Sequence, residues 1–288
     1  MLQIRRANTE LAKSAGTLNL ARMLIRRAIL FLLLAWVSSA TAATAAESRL
    51  RGSYTVSLGG IFIGSGSWDV QVTEGHFAIS GNGRAGGLLR LFSSGRGAAS
   101  VSGDIRDGRP VAAEYDYASL KSTKFDEVRL RLRDGTITEW SVEPSQDHNR
   151  RRIALESQHR TGVHDPLSAV LLPVADPASP MGPDACRRTL PVFDGRMRYD
   201  LAFTFKRSET AITPEGYQGP VVVCAVRFFP IAGHVPQRPA IRYLAGLESM
   251  EMWLAPMAGT RLLVPWRVVI PTPFGTAVLA AESFVAGP

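Results

Sequence analysis

The sequence is poor in cysteine, in charge and in catalytic motifs. Two cysteines among 288 residues are too few for a disulfide-rich scaffold or a four-thiolate zinc site. Neither belongs to a Cys-x-x-Cys motif, which argues against a redox-active pair. The Gly-x-Ser-x-Gly elbow of many serine hydrolases is absent as well. Charged residues make up only 20% against 45% hydrophobic residues, so the chain can build a core and extended disorder is excluded.

Long apolar runs are scarce, and the one near the N-terminus has a specific meaning. Residues 28–37 are apolar, follow Arg26 and Arg27, and lead into small residues through Ala46. A basic start, an apolar centre and a small-residue cleavage region are the parts of a secretory signal peptide. A membrane anchor is the alternative. It is disfavoured because the second half of the uncharged stretch is Ser, Thr and Ala, which is too weakly apolar for a span.

We therefore predict two parts of the chain. Residues 1–46 are an N-terminal extension and signal peptide, with Met23 as the start of the signal, and residues 47–288 are a single β-rich periplasmic domain. No stable transmembrane span is expected after processing. The formal charge of +8 falls to about +3, because six basic residues and one acidic residue precede residue 47. The basic character belongs mostly to the signal, and we expect no nucleic-acid partner.

Export also decides how Cys186 and Cys224 are interpreted. An oxidising compartment favours a disulfide between them. The bridge would close a loop of about 37 residues and restrict the unfolded chain. The alternative is a pair of unbridged thiols, since Cys224 lies in the apolar run 221–226 and could be an ordinary core residue.

Alternation of apolar and polar residues with a period of two dominates after Glu47. Asp134-Gly135, between two alternating segments, is a strong hairpin signal. The predicted strands are residues 53–58, 68–72, 76–80, 110–118, 127–133, 137–142, 199–205, 221–229, 250–254, 261–270 and 276–284. One short helix is expected near 165–172, capped by Asp165 and stopped by Pro173. The pattern predicts an all-β fold with an antiparallel, strongly curved or barrel-like sheet.

Several short motifs occur in an order that resembles a known family. They are Gly59-Gly-Ile-Phe-Ile-Gly64, Asp165-Pro-Leu-Ser168, Phe193-Asp-Gly-Arg196, Tyr217 ahead of Cys224, Pro230-Ile-Ala-Gly233, Trp253-Leu254 and Val264-Pro265. Together, over roughly residues 50–285, they resemble the exported bacterial family known as domain of unknown function 3108. The resemblance implies an envelope protein with a mostly β fold. It supplies no activity and no catalytic residues.

Motifs for cofactors and catalysis are weak. Residues 81–86 match Gly-x-Gly-x-x-Gly, but no helix follows, so we expect a flexible glycine turn and no nucleotide cofactor. His159, His164 and Asp165 lack a convincing further ligand, and no metal is expected. His164 and Asp165 with Ser168 would be the only hydrolytic set to consider. We expect no enzymatic activity, and an envelope hydrolase using these residues is the second alternative.

Two features point to a ligand. Arg129, Arg131 and Arg133 share one face of a predicted strand, which fits either a solvated face or contact with anionic lipid headgroups. The last third of the chain, including Phe228 and Trp253, has strands that are apolar on both faces. Such strands are buried on two sides or line a barrel interior that holds an apolar ligand. These five residues are the predicted ligand contacts.

The favoured hypothesis is a non-enzymatic envelope protein that binds an apolar or amphiphilic molecule, such as a lipid or a lipoprotein acyl chain. The first alternative is a structural or protein-interaction module of the envelope, with a packed interior and an exposed apolar patch. The expected partner is accordingly a lipid or an envelope protein.

Overall fold

The computed structural model describes residues 47–87, 95–145, 151–176 and 178–287. Within these ranges a single sheet contains fifteen strands. The first seven are β1 (Ser48–Leu58), β2 (Ile61–Thr73), β3 (His76–Ala85), β4 (Arg96–Arg106), β5 (Arg109–Lys121), β6 (Lys124–Arg133) and β7 (Thr136–Glu143). The others are β8 (Leu172–Pro173), β9 (Arg188–Phe193), β10 (Arg198–Ile212), β11 (Glu215–Gly216), β12 (Gln218–Ala232), β13 (Met250–Pro256), β14 (Leu262–Thr272) and β15 (Gly275–Gly287). The same ranges contain one α-helix, α1, which spans Pro239–Ala245.

The first and last strands of the chain, β1 and β15, are neighbours in the sheet. The order is β7-β6-β5-β4-β3-β2-β1-β15-β14-β13-β12-β10-β9, and the pairs along it are antiparallel. The all-β, antiparallel prediction is therefore confirmed. The segment predicted to be a signal peptide, residues 1–46, lies outside the described residues. No helix in the described ranges is long and apolar enough to cross a membrane.

The sheet curls but is not closed, because its edge strands β7 and β9 do not pair with each other. Val163 N–H donates to the Gly135 carbonyl near one edge, and His164 makes a parallel bridge with Val192 at the other edge. The Trp140 indole of β7 also donates to the Gly195 carbonyl at 3.0 Å. Side chains and a short connecting segment therefore join the two edges. One buried cluster includes residues from β6, β9 and β1, which places their inner faces around a common interior.

The predicted strand segments all fall in strands, apart from Arg261 at the start of 261–270. β4 was missed because its residues, Arg-Gly-Ala-Ala-Ser-Val-Ser-Gly-Asp-Ile-Arg, are small or polar and show little apolar alternation. The prediction of a flexible glycine turn at residues 81–86 was wrong. Residues 81–85 continue β3 and pair with both neighbouring strands, so their backbone groups belong to the ladder.

The helical segment expected near 165–172 is shorter and of a different type. A single 3-10 turn, Ser168–Val170, follows Asp165, whose carboxylate accepts from the Leu167 and Ser168 amides at 2.9 Å each. Leu172 then pairs with Leu263 of β14, which draws the chain into an extended conformation. The predicted cap is therefore present, but the next residues pair with the sheet.

Cys186 and Cys224 form the predicted disulfide, with their Cα atoms 5.4 Å apart. Cys224 is fully buried in β12, and Val221, Val222 and Val223 are fully buried beside it. Since successive strand residues point to opposite faces, this part of β12 is covered on both sides. The interpretation of the last third of the chain as buried on two faces is confirmed for this strand.

A charged network around β10 and β13 predicts a specific pH response. Glu251 accepts from Arg207 at 3.0 Å and from Lys206 at 2.6 Å, and the Arg207 guanidinium is the main reason that the pKa of Glu251 falls from 4.5 to about 2. Because the folded-state pKa is lowered, the stabilisation is complete above the ordinary pKa and is lost as the pH falls towards 2. We expect the difference in unfolding free energy between the wild type and Glu251→Gln to shrink over that interval.

Urea unfolding at a series of pH values between about 6 and 2 measures this difference. Glu139→Gln on the exposed part of β7 is the control and should show no comparable trend. A Glu251→Gln difference that stays constant as the pH falls would contradict the role given to the ionised carboxylate.

Candidate functional site

A pocket of about 660 Å³ opens at one end of the curled sheet. Its walls come from the inner faces of β1–β5 and β13–β15, and segment 166–170 covers part of it. The volume falls within the range of about 300–1,000 Å³ that small-molecule sites occupy. The pocket lies in the part of the sheet where β3 and β5 end and β4 begins, so its mouth is at that end.

The pocket exists because small residues meet in register across four strands. One row consists of Gly66, Gly83, Gly97 and Ser119, each paired with the next. Antiparallel partners lie directly opposite each other on one face, so the row is a strip of inner wall almost without side chains. A neighbouring row contains Gly81 and Ala99 between larger residues.

The same strands carry large inner residues towards their other end. On β3, Phe77 and Ile79 are buried before the inner positions change to glycine and alanine. Val70 on β2, Val101 on β4 and Tyr115 on β5 are buried at corresponding depth. Large side chains therefore fill the inner face of β2–β5 at this depth, whereas glycine, alanine and serine leave it hollow towards the end where the pocket opens.

Apolar and aromatic side chains complete the pocket. Tyr54 and Trp68 form an edge-to-face pair with ring centroids 5.9 Å apart. The Tyr54 hydroxyl donates to the Pro265 carbonyl at 2.8 Å, and burial raises the pKa of this tyrosine, so it remains neutral. Met252 and Leu167 also line the pocket. The interior is therefore suited to an apolar group.

The mouth of the pocket is cationic. Arg84, Arg96 and Lys121 border it and are exposed. Arg84 and Arg96 project from the outer face at the rim, since Gly83 and Gly97 lie on the inner face, and Arg84 donates to the Ser65 hydroxyl at 3.3 Å. Arg84 and Arg96 are directly paired across β3 and β4, and like charges in such positions repel each other. In the part of the chain that the structure describes, none of the three has an acidic partner within 4 Å. An anionic group bound between them would remove the repulsion.

The predicted arginine row lies on β6, away from this pocket. Arg129 pairs with Glu127 at 2.6 Å, and Arg131 pairs with Asp116 at 3.3 Å. Arg133 is exposed at the end of the strand. Carboxylates therefore balance much of the charge of the row, and its proposed contact with headgroups stays a prediction.

The two predicted aromatic contacts, Phe228 and Trp253, are also not among the residues that line the pocket. Phe228 is half-buried on β12 against Tyr199, with ring centroids 5.2 Å apart. Trp253 stacks near Trp266 at 5.9 Å, and its indole donates to Glu251 at 2.9 Å. Their positions serve the packing of β10, β12, β13 and β14.

His164 and Ser168 line a second cavity, of about 500 Å³. The Ser168 hydroxyl donates its hydrogen bond to the buried Asp165 carboxylate and not to the His164 imidazole. Burial lowers the pKa of His164 and keeps its ring neutral. The Ser–His pair that the hydrolase alternative requires is not formed in this arrangement. Among the described residues, no group of three or more His, Cys, Asp or Glu side chains is placed to hold a metal ion.

One sequence signal could have located the pocket. Gly-x-Gly occurs at 64–66, 81–83 and 95–97, and the inner row takes one glycine from each. Two glycines separated by one residue lie on the same face of a strand. Three such pairs in neighbouring strands therefore indicate a hollow wall.

A comparison with family models assigns the sequence to a family. The family model described as "Protein of unknown function (DUF3108)" matches residues 53–282. No curated protein matches the sequence. Among solved structures, the chain is similar to a β-barrel-like protein of the domain of unknown function DUF1849 from Brucella abortus. The two share 8% identity with a TM-score of 0.48, over 85% of this chain and 99% of that chain.

Proposed function

Because the chain belongs to the DUF3108 family, whose description gives no function, we propose a role from its geometry: it binds one amphiphilic molecule without transforming it. The apolar part of the ligand occupies the 660 Å³ pocket, and an acidic group contacts the cationic mouth. The observation that carries the proposal is the in-register row of small residues, which hollows the inner wall of the sheet at one end.

The chemistry of the pocket narrows the ligand to a lipid or an acyl chain with an anionic group. Tyr54, Trp68 and Met252 offer apolar surface, whose burial favours binding in proportion to its area. Arg84 and Arg96 offer paired guanidinium groups, which suit carboxylate or phosphate oxygens. An interaction module with a fully packed interior, the first alternative, gives no reason for this cavity.

We also propose that the protein acts in the periplasm after export. The apolar run 28–37 after two arginines and the disulfide of Cys186 with Cys224 both support this location. N-terminal sequencing of the protein from a periplasmic extract should give a start close to residue 47. Recovery of the chain in the cytoplasm with its N-terminal segment intact would contradict the proposal.

Titration with a dansylated long-chain fatty acid tests ligand binding directly. We expect saturable fluorescence enhancement with one probe per chain and a Kd of about 1 μM. Unlabelled palmitate should displace the probe, whereas hexanoate, which is too short to fill the pocket, should displace it poorly. Enhancement that rises linearly without saturation, or displacement that ignores chain length, would contradict a defined apolar site.

A further inference from the structure

The turns at the open end of the pocket carry exposed apolar side chains. Phe274, between β14 and β15, is 84% exposed, and Ile61, at the β1–β2 turn, is 55% exposed. Phe125, beside the β5–β6 turn, is 51% exposed, and Phe62 is 44% exposed. Large apolar residues at such exposure mark an interaction surface when they gather at one place.

Phe274, Ile61 and Phe62 lie close together because the turns that carry them meet. The Gly59 amide of the β1–β2 turn donates to the Thr276 carbonyl at 2.9 Å, which fixes that turn against the β14–β15 turn. Phe62 lies against Gly86 at the end of β3, where an added Cβ would come within 2.6 Å of its ring. Phe62, Ile61 and Phe274 therefore lie at the end of the sheet where the pocket opens.

Charge distinguishes this end of the sheet from the opposite one. The turn segments 58–61, 121–124 and 272–275 contain Lys121 and Lys124 and no acidic residue. At the other end, the matching segments 73–76, 106–109 and 133–136 contain Glu74, Asp107 and Asp134 against Arg106, Arg109 and Arg133, so their combined formal charge is zero.

The nearest acidic residues after the β5–β6 turn have partners of their own. Asp126 pairs with Arg196 at 2.6 Å, and Glu127 pairs with Arg129 at 2.6 Å. Lys121 and Lys124 are therefore the uncompensated charges of this turn, beside Phe125. The open end combines exposed aromatic residues with net positive charge.

We propose that this end docks on the surface of an anionic lipid bilayer. Phe274 and Ile61 enter the interface, where aromatic and aliphatic side chains are stabilised beside headgroups, and Lys124 contacts anionic lipid. Charge complementarity selects a membrane as the occupant, because a purely apolar partner would leave the lysines unused. The inference rests on the proposed function, since docking presents the mouth of the pocket to the source of its amphiphile.

Flotation with vesicles tests the docking, using protein that starts at residue 47 and so contains every described strand. On phosphatidylcholine vesicles with about 30% phosphatidylglycerol, we expect binding that falls as salt rises from about 0.1 to 0.5 M. Pure phosphatidylcholine should bind less protein. Phe274→Ser and Lys124→Glu should each lower the partition coefficient on the mixed vesicles by about tenfold.

Matched controls use the opposite end of the sheet. Ile212→Ser removes a side chain that is 70% exposed there, and Arg133→Glu reverses a charge on the same strand as Lys124. Both should bind vesicles like the wild type. Equal binding by Phe274→Ser and Ile212→Ser would overturn the proposal. A loss confined to Arg133→Glu would also overturn it and assign lipid contact to the arginine row.

The probe titration separates failure of docking from failure of ligand binding. Neither Phe274 nor Lys124 lines the pocket, so both variants should bind the fatty-acid probe normally when vesicles are absent. Vesicle binding without saturable probe binding would contradict the ligand site alone. Probe binding with no preference for anionic vesicles would contradict the docking alone.

Discussion

Gly83→Phe should strongly weaken binding of the fatty-acid probe and leave the protein folded. Gly83 lies on the inner face of β3, in the row of small residues, where an added Cβ would meet only the Ser65 carbonyl oxygen at an ordinary 3.8 Å. The backbone therefore accepts a side chain, and a phenyl ring extends into the pocket. We expect the Kd for the probe to rise at least about 30-fold, which corresponds to about 2 kcal/mol.

Gly83 is the suitable glycine for this substitution, because its neighbour in the row, Gly66, does not accept a side chain without a backbone shift. At Gly66, an added Cβ would lie 2.8 Å from the Asn82 carbonyl oxygen, so a side chain there would force the backbone to move. Ser80→Phe is the matched control, because Ser80 is exposed on the same strand and faces away from the pocket. It should bind the probe like the wild type. Unchanged affinity in folded Gly83→Phe would show that the probe does not occupy this pocket.

Replacing both cysteines with alanine should lower the free energy of unfolding by about 2–4 kcal/mol. The disulfide joins positions 38 residues apart, so its removal enlarges the conformational freedom of the unfolded chain. It also links the 3-10 turn Pro183–Cys186 to the buried centre of β12. Urea unfolding of the oxidised wild type and the double variant measures the difference.

Reductant provides the control for this variant. The reduced wild type should lose a comparable amount of stability, whereas the double variant should be insensitive to reductant. Cys224 pairs with Met252, which lines the pocket, so the bridge also holds one wall of the candidate site. Equal stability of the oxidised wild type and the double variant would contradict a stabilising disulfide.

The sequence contained enough information for the sheet but not for every strand. Alternation identified strands such as β6, where Val128, Leu130 and Leu132 are all buried. The same rule failed for β4, whose Gly97, Ala98 and Ala99 give no apolar contrast. Their structural role becomes visible only when they are paired with β3 and β5. The seven-residue α1 was missed because it is short and has no side-chain cap.

The candidate site was harder to predict because it is defined by missing side chains. Arg129 and Trp253 were selected for their chemical type, and the structure places them in ion-pair and packing contacts outside the pocket. Gly83 and Gly97 carry no chemistry, and each becomes informative only through its register with the next strand. Register depends on turns and bulges far along the chain, so the hollow wall could be inferred only from the repeated Gly-x-Gly spacing.

Native mass spectrometry of the gently purified protein tests the central claim most directly. We expect a species heavier than the bare chain by one amphiphilic molecule, which organic extraction removes and releases chemically unchanged. The same preparation of Gly83→Phe should give the bare mass alone. A wild type that has only the bare mass and takes up no added long-chain fatty acid would contradict the assignment of this pocket as a ligand site.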